Sequence, residues 1–297
     1  MTRETLPALV ALCALTALWG CDSPFPDETL VERLRLLAVQ AEPPEVGLDG
    51  RVDFRALVAD PGGQGRPLEA TWAVCLMRLD YAASDIACPG PDAYPLPADG
   101  LTASLSVPAL VAWALEQGLP FDPGAPPGGE LPETVGLFVG LEVVAGQDRV
   151  RGLKRFALRL AGQAAPNRNP RLAGLELDGE PFEEGPAGWP RFAAGSEHHL
   201  RPLVRDGSLE SYTPAGQTEP RLETLLFSWF STAGEFRDQR TVLDPVLFQD
   251  LAANRLTAPD LPGPAELWLV VRDDRWGVDW LRVGFEAVAA EESEEDR

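Results

Sequence analysis

Apolar and polar positions alternate with a period of two through much of this chain, the pattern of strands with one buried face. In TVGLFVGLEVV, Val135, Leu137, Val139, Leu141 and Val143 share one face. The run VRGLKRFALRL follows across the turn AGQDR, so the two predict an antiparallel hairpin. A second such pair closes the chain: ELWLVVRD, a turn at Asp274 to Gly277, then GVDWLRVGFEA. In its last strand Leu281, Val283 and Phe285 fall on one face, with Trp280 and Arg282 on the other. The segment LWLVV is apolar on both faces and reads as the middle of a sheet.

The pattern repeats. FRALVAD (54–60) recurs as LRPLVRD (200–206) with four of seven positions identical. Each copy leads through a turn-rich loop to a tryptophan-bearing strand, LEATWAVCL with Trp72 and LETLLFSWF with Trp229. Each also carries a helix-like piece opened by a capping residue and a proline. These are SVPALVAWALEQG, from Ser106 and Pro108 to Gly118, and DPVLFQDLAAN, from Asp244 and Pro245 to Asn254. Short strands at near-regular spacing point to an all-β protein of two sandwiches in tandem, each with a short helix before its closing hairpin. The arrangement resembles an immunoglobulin-like fold, with Trp72 and Trp229 as core tryptophans. Cys75 lies three residues beyond Trp72 and points to the other face of the strand, so the antibody disulfide pattern is not reproduced.

The predicted organisation is a signal peptide over 1–20, a linker over 21–29, a first domain over 30–162 and a second over 171–289. The polar stretch AGQAAPNRNP places the linker between them at 163–170, and an acidic tail over 290–297 is too polar to pack. The Pro/Gly-rich piece FDPGAPPGGELPE reads as an inserted loop.

The N-terminus adds a location. Arg3, an apolar run from Leu6 to Leu18 and small Gly20 before Cys21 have the layout of an export segment. The ending LWGC resembles a bacterial lipobox, which implies a lipid on Cys21, with Trp19 departing from the usual small residue. With RLLAVQAEPPEVGLDGRVDFRALVADPGGQGRPLEATWAVC and LWLVVRDDRWGVDW, the chain resembles predicted bacterial lipoproteins carrying tandem immunoglobulin-like domains. That resemblance implies the envelope of a Gram-negative bacterium, inner or outer membrane left open. It implies no activity.

Of four cysteines, Cys13 leaves with the signal and Cys21 is the lipidation candidate. Cys75 and Cys88 remain as an even pair in an oxidising compartment. A bridge between them closes a loop of 14 residues, contributing roughly 3 kcal/mol in the chain-entropy model. Two free or metal-binding thiols are the alternative. The net charge of −21 excludes nucleic acid as a partner and argues against a polybasic membrane-surface mode.

Chemistry is sparse. No G-x-S-x-G, H-E-x-x-H, P-loop or strand-linked G-x-G-x-x-G occurs. The only histidines, His198 and His199, are adjacent, and no serine is marked as a partner for either. The acidic turns at Asp60, Asp206, Asp273 and Asp274 lack calcium-loop spacing and serve as turn residues. No catalytic residue, metal ligand or cofactor is assigned. Trp276 at the last hairpin's tip and Trp280 on its outer face are the candidate ligand-binding residues, with Trp189 in GPAGWPRF as a further exposed indole. The expected function is non-enzymatic: two sandwiches held at a membrane by the lipid and contacting an envelope protein. A carbohydrate- or calcium-dependent adhesion module is the alternative, and a periplasmic hydrolase the third reading.

Overall fold

The first repeat folds, in chain order, as β1 (Arg35–Glu42), β2 (Glu45–Gly47), β3 (Arg51–Ala59), β4 (Glu69–Cys75), β5 (Ala93–Pro95), β6 (Ala98–Asp99), β7 (Thr102–Ser106), helix α1 (Val107–Glu116), β8 (Thr134–Ala145) and β9 (Asp148–Arg159). One sheet has the order β1-β3-β7-β6 and the other β2-β9-β8-β4-β5. This computed structural model describes residues 28–75, 93–118, 133–161, 165–182, 189–214, 217–246 and 249–289. The export segment, Cys21, Cys88, the acidic tail and all of the Pro/Gly-rich loop but Glu133 lie outside the described residues.

The second repeat runs β10 (Leu172–Leu177), β11 (Glu180–Pro181), β12 (Arg191–Ala193), β13 (Glu197–Val204), β14 (Ser211–Tyr212), β15 (Arg221–Leu222), β16 (Leu225–Ser231), β17 (Glu235–Phe236), β18 (Arg240–Leu243), β19 (Asn254–Thr257), β20 (Gly263–Arg272) and β21 (Val278–Val288). Its sheets have the orders β11-β10-β13-β19-β17 and β12-β21-β20-β16-β18, with β14 and β15 forming a separate ribbon. The duplicated motif occupies the same place twice, at the end of β3 and through β13. In both sandwiches an early short strand, β2 or β12, crosses to pair in parallel with the last one. First, second and fifth main strands in one sheet against third, sixth and seventh in the other is the immunoglobulin-type division. The protein is therefore a tandem of immunoglobulin-like β-sandwiches.

Each core is built around its tryptophan. Trp72 on β4 and Trp229 on β16 are 1% and 0% exposed. Their indole N–H groups donate to the Gly100 carbonyl at 3.1 Å and to Thr241 Oγ1 at 2.9 Å. Phe54 stacks on Trp72, and Phe236 tilts against Trp229. Cys75 is buried at the end of β4 yet stands outside the cluster that holds Trp72 and Val74, as its odd offset from Trp72 requires.

Helix α1 follows its signals. Ser106 holds the extended N-cap conformation, a proline sits in the first turn, and Gly118 at φ +65° follows the end. Val107, Leu110 and Ala114 bury one stripe. Among the described residues the counterpart in the second sandwich shows a 3-10 turn over Gln249–Ala252, and it precedes β19, whereas α1 follows β7. The reason is local. Asp244 Oδ1 accepts the Val246 N–H in a side-chain-closed turn, and Asn254 exchanges hydrogen bonds with Asp238 as the first residue of β19.

The sandwiches stack sheet on sheet. Val31, Leu37, Ala38, Leu57 and Ala59 of the first repeat bury against Trp268, Val270 and Val278 of the second, with Phe230 and Trp280 alongside. A bulge between Leu36 and Ala38 lets adjacent Leu37 and Ala38 both face this seam. LWLVV is apolar on both faces because Leu267, Leu269 and Val271 fill the core while Trp268 and Val270 fill the seam. The N-terminal segment joins in: Leu30 bridges to Ser231, and Val31 N–H donates to its carbonyl at 2.8 Å. The chain crosses between sandwiches where the polar stretch stands, but Asn167 and Asn169 are buried there.

Replacing Trp72 or Trp229 with Ala is expected to cost about 3–5 kcal/mol each in urea unfolding. A loss under about 1 kcal/mol at either site would remove that tryptophan from the core.

Candidate functional site

The turn between β20 and β21 meets the first sandwich, and its geometry follows from Asp273. Asp273 Oδ1 accepts the N–H groups of Arg275 and Gly277 at 2.8 and 2.6 Å. A side chain at 277 would collide with the Asp273 carboxylate and Pro170, so only glycine fits. Trp276 takes a left-handed backbone at φ +77° and turns its ring toward the first sandwich. There the Arg155 guanidinium lies 3.8 Å from its centroid, and the Lys154 ammonium donates to its carbonyl. Trp280 is covered in the same way by Arg55, 4.2 Å from its centroid. Both candidate tryptophans are therefore half-buried seam residues, each held by an arginine of the other sandwich.

Two asparagines of the crossing segment rivet this seam. Asn169 Nδ2 donates to the Ala41 carbonyl at 2.7 Å and to Glu42 at 2.9 Å, while its Oδ1 accepts Val278 N–H at 2.8 Å. Asn167 donates through its side chain to the Arg275 carbonyl at 2.9 Å and through its backbone to Glu45 at 2.8 Å. Their polarity reads as a linker between domains. In the fold it satisfies backbone groups of both sandwiches.

Arg275 in the same turn is clamped by Glu223 and Glu210, each at 2.6 Å. Burial pushes the Glu223 carboxyl up to about 7 against the opposing pull of the Glu210 N–H and Arg275. Burial likewise drops the Lys154 ammonium to about 7, resisted by nearby Asp273 and reinforced by Arg272. Asp274 accepts from Tyr212 at 2.7 Å and Arg221 at 3.0 Å, and Asp60 pairs with Arg66 at 2.7 Å. The acidic turns at Asp60, Asp273 and Asp274 thus face protein donors. Among the described residues no three His, Cys, Asp or Glu side chains gather as a metal site.

The fold brings together one constellation that the sequence did not mark. His198 Nδ1 lies 2.8 Å from Asp178 Oδ2 and Nε2 lies 2.7 Å from Ser196 Oγ. The connectivity is that of a Ser-His-Asp relay, but the proton count is not. Ser196 Oγ donates to the Ala193 carbonyl at 2.6 Å, so the hydroxyl's proton is committed away from the imidazole. A serine nucleophile needs its proton on the line to its base. Asp178 also accepts the His199 N–H at 2.8 Å. Burial alone would raise its pKa, but the bonds from His198 and His199 hold it below the usual range. Stacked on Phe192 at 4.1 Å, the imidazole clasps the Asp178 turn to the start of β13. His199 is exposed, and Trp189 lies over Gly284 of β21 at 44% exposure.

Between the sandwiches opens a cleft of about 800 Å3. Asp53, Arg55, Asp99 and Ser104 line it from the first sandwich, and Arg171 and Arg205 from the second. Arg55 is spent on Gln40 at 2.6 Å and Asp279 at 3.1 Å. No pattern in the sequence pointed to this cleft, because its walls come from segments more than a hundred residues apart.

Two outcomes are expected. A fluorophosphonate probe will leave Ser196 unlabelled, while Asp178→Asn, at a half-exposed and solvent-screened carboxylate, costs about 0.5–1 kcal/mol of stability. Labelling at Ser196 would make the clasp a nucleophilic site. The second concerns pH. Between about 4.5 and 7 the folded chain holds a proton on Glu223 that the unfolded chain releases, so this contribution falls as pH rises. Between about 7 and 10.5 the unfolded chain holds a proton on Lys154 that the folded chain lacks, so that contribution grows. Melting curves against pH should therefore show the alkaline rise vanish in Lys154→Met and the acid-side fall vanish in Glu223→Gln. Unchanged profiles would remove both groups from the seam's electrostatics.

No protein-family model and no curated protein matches the chain. Among solved structures, murine CEACAM1b is similar over 86% of this chain and all of its own, at 12% identity and a TM-score of 0.23. The D00-D0 domain of intimin is similar over 87% of this chain and all of its own, at 9% identity and 0.25. The Yersinia pseudotuberculosis adhesin InvE matches over 85% of this chain and 58% of its own, at 11% identity and 0.23. Such scores carry nothing about function, and the fold assignment stands on the strand order of each sandwich.

Proposed function

We propose that this chain is a non-enzymatic interaction protein of a bacterial cell envelope, anchored by a lipid on Cys21 and recognising another envelope protein through the cleft between its sandwiches. The observation that carries the reading is the cleft itself. It lies between two domains fixed by a common apolar seam, and junctions of this kind are where binding sites concentrate. A fixed junction presents one preformed shape and binds with little ordering cost. Cys21 stands seven Cα steps before Glu28, so a lipid there would hold the body within about 25 Å of the bilayer. Two or more acyl chains would make that anchorage stable. In the same compartment Cys75 would bridge to Cys88 and fasten the chain that follows β4.

Protein recognition is favoured over glycan stacking at Trp276 and Trp280, because Arg155 and Arg55 already lie on those indoles. The test is chemical crosslinking of the tagged chain in its own cells, with membrane fractionation and mass spectrometry. A specific partner should be captured and should disappear when Cys21→Ala releases the protein. Absence of any specific partner from membrane-bound protein overturns the reading. The same mass spectrometry, run without reductant, reads the Cys75–Cys88 bridge.

A further inference from the structure

Arg171 and Arg205 stand opposite each other at the end of the β10–β13 ladder. The Arg205 N–H donates to the Arg171 carbonyl at 2.9 Å, beside the paired residues Leu172 and Val204. The two residues sit one position beyond the paired strands with their backbones joined, and like charges placed on neighbouring chain segments in this way are unfavourable. Both residues are exposed, both line the cleft, and neither side chain has a partner among the described residues. In a chain with 46 acidic and 25 basic side chains, that lack of compensation is informative. Nearby arginines are all spent: Arg55 on Asp279, Arg168 on Glu210, Arg201 on Glu176.

The cleft's own carboxylates do not relieve the pair. Asp53 accepts from Ser104 and Arg51, Asp279 from Arg55 and the Leu172 N–H, and Glu42 from Asn169. Guanidinium forks match planar oxyanions, and two side by side hold one more firmly than either alone. Asp53 and Asp99 on the facing wall favour a single negative charge over the double charge of a phosphate. The apolar wall atoms of Pro97, Ala98, Ala103 and Leu172 suit an aliphatic stem.

We propose that Arg171 and Arg205 dock a carboxylate side chain of the partner protein in the interdomain cleft, an inference that rests on the interaction reading above. The test is methyl NMR of the full-length chain in detergent micelles, titrated with the capped peptide Gly-Glu-Gly-Glu-Gly. Shifts should concentrate at Leu172, Ala98 and Ala103, weaken with added salt, and be absent with the Gly-Gln-Gly-Gln-Gly control. Arg171→Gln with Arg205→Gln should weaken binding at least tenfold. Either single variant should melt no lower than the parent, since each relieves a like-charge contact. Equal shifts with the Gln peptide, no shifts, or undiminished binding by the double variant would overturn the proposal. So would stronger perturbation by inorganic phosphate, which would make the occupant a phosphate. A partner still captured in cells by the double variant would sink the carboxylate site while leaving the interaction reading intact. Loss of all capture by the parent chain would sink that reading instead.

Discussion

Everything distinctive about this molecule depends on an apolar face where a sandwich ordinarily presents a polar one. The outer face of β20 and β21 carries Trp268, Val270, Val278 and Trp280, and the outer face of β1 and β3 carries Leu37, Ala38, Leu57 and Ala59. Removing such a side chain from water contributes roughly 1.5–3 kcal/mol, whereas a typical hydrogen bond nets about 1. Apolar burial therefore holds the sandwiches together. The polar contacts decide the angle at which they meet.

That division of labour explains why the seam tolerates so many buried charges. Lys154, Asp273 and Glu223 sit in or beside an environment that penalises ionisation, and each is answered by a donor or acceptor of fixed geometry. Asn167 and Asn169 complete the set by reaching both domains from the crossing segment. A polar network of this kind specifies one registration of two otherwise greasy surfaces. The cleft exists because the registration is fixed, and among the described residues no acid pairs with the two arginines that line it.

The clasp of Asp178, His198 and Ser196 shows how the same side-chain types acquire different meanings from one proton. Three residues in relay order look catalytic until the Ala193 carbonyl is counted. The hydroxyl then serves a turn, and the imidazole serves the hydroxyl. Trp276 and Trp280 changed meaning similarly. At a hairpin tip and on a strand's outer face they read as binding platforms, yet each is a knob set under an arginine of the other sandwich.

Strand alternation, turn residues and the recurrence of FRALVAD as LRPLVRD were enough to establish two sandwiches with Trp72 and Trp229 at their centres, because these depend on contacts whose period is visible within one segment. The helix after Ser106 was equally legible, its cap and proline being local signals. The counterpart after Asp244 was not, because Asn254 was claimed by a strand partner. The sequence also held the clue to the seam in LWLVV and in the two asparagines of AGQAAPNRNP. LWLVV does lie in the middle strand of its sheet, as its two apolar faces indicate, but the layer that covers its outer face is known only once the other sandwich is in place. The cleft, the clasp and the opposed arginines were decided by tertiary structure alone. Each joins residues whose separation along the chain carries no periodic trace, and only the packing of one sandwich on the other, or of one turn on the next, brings them within reach.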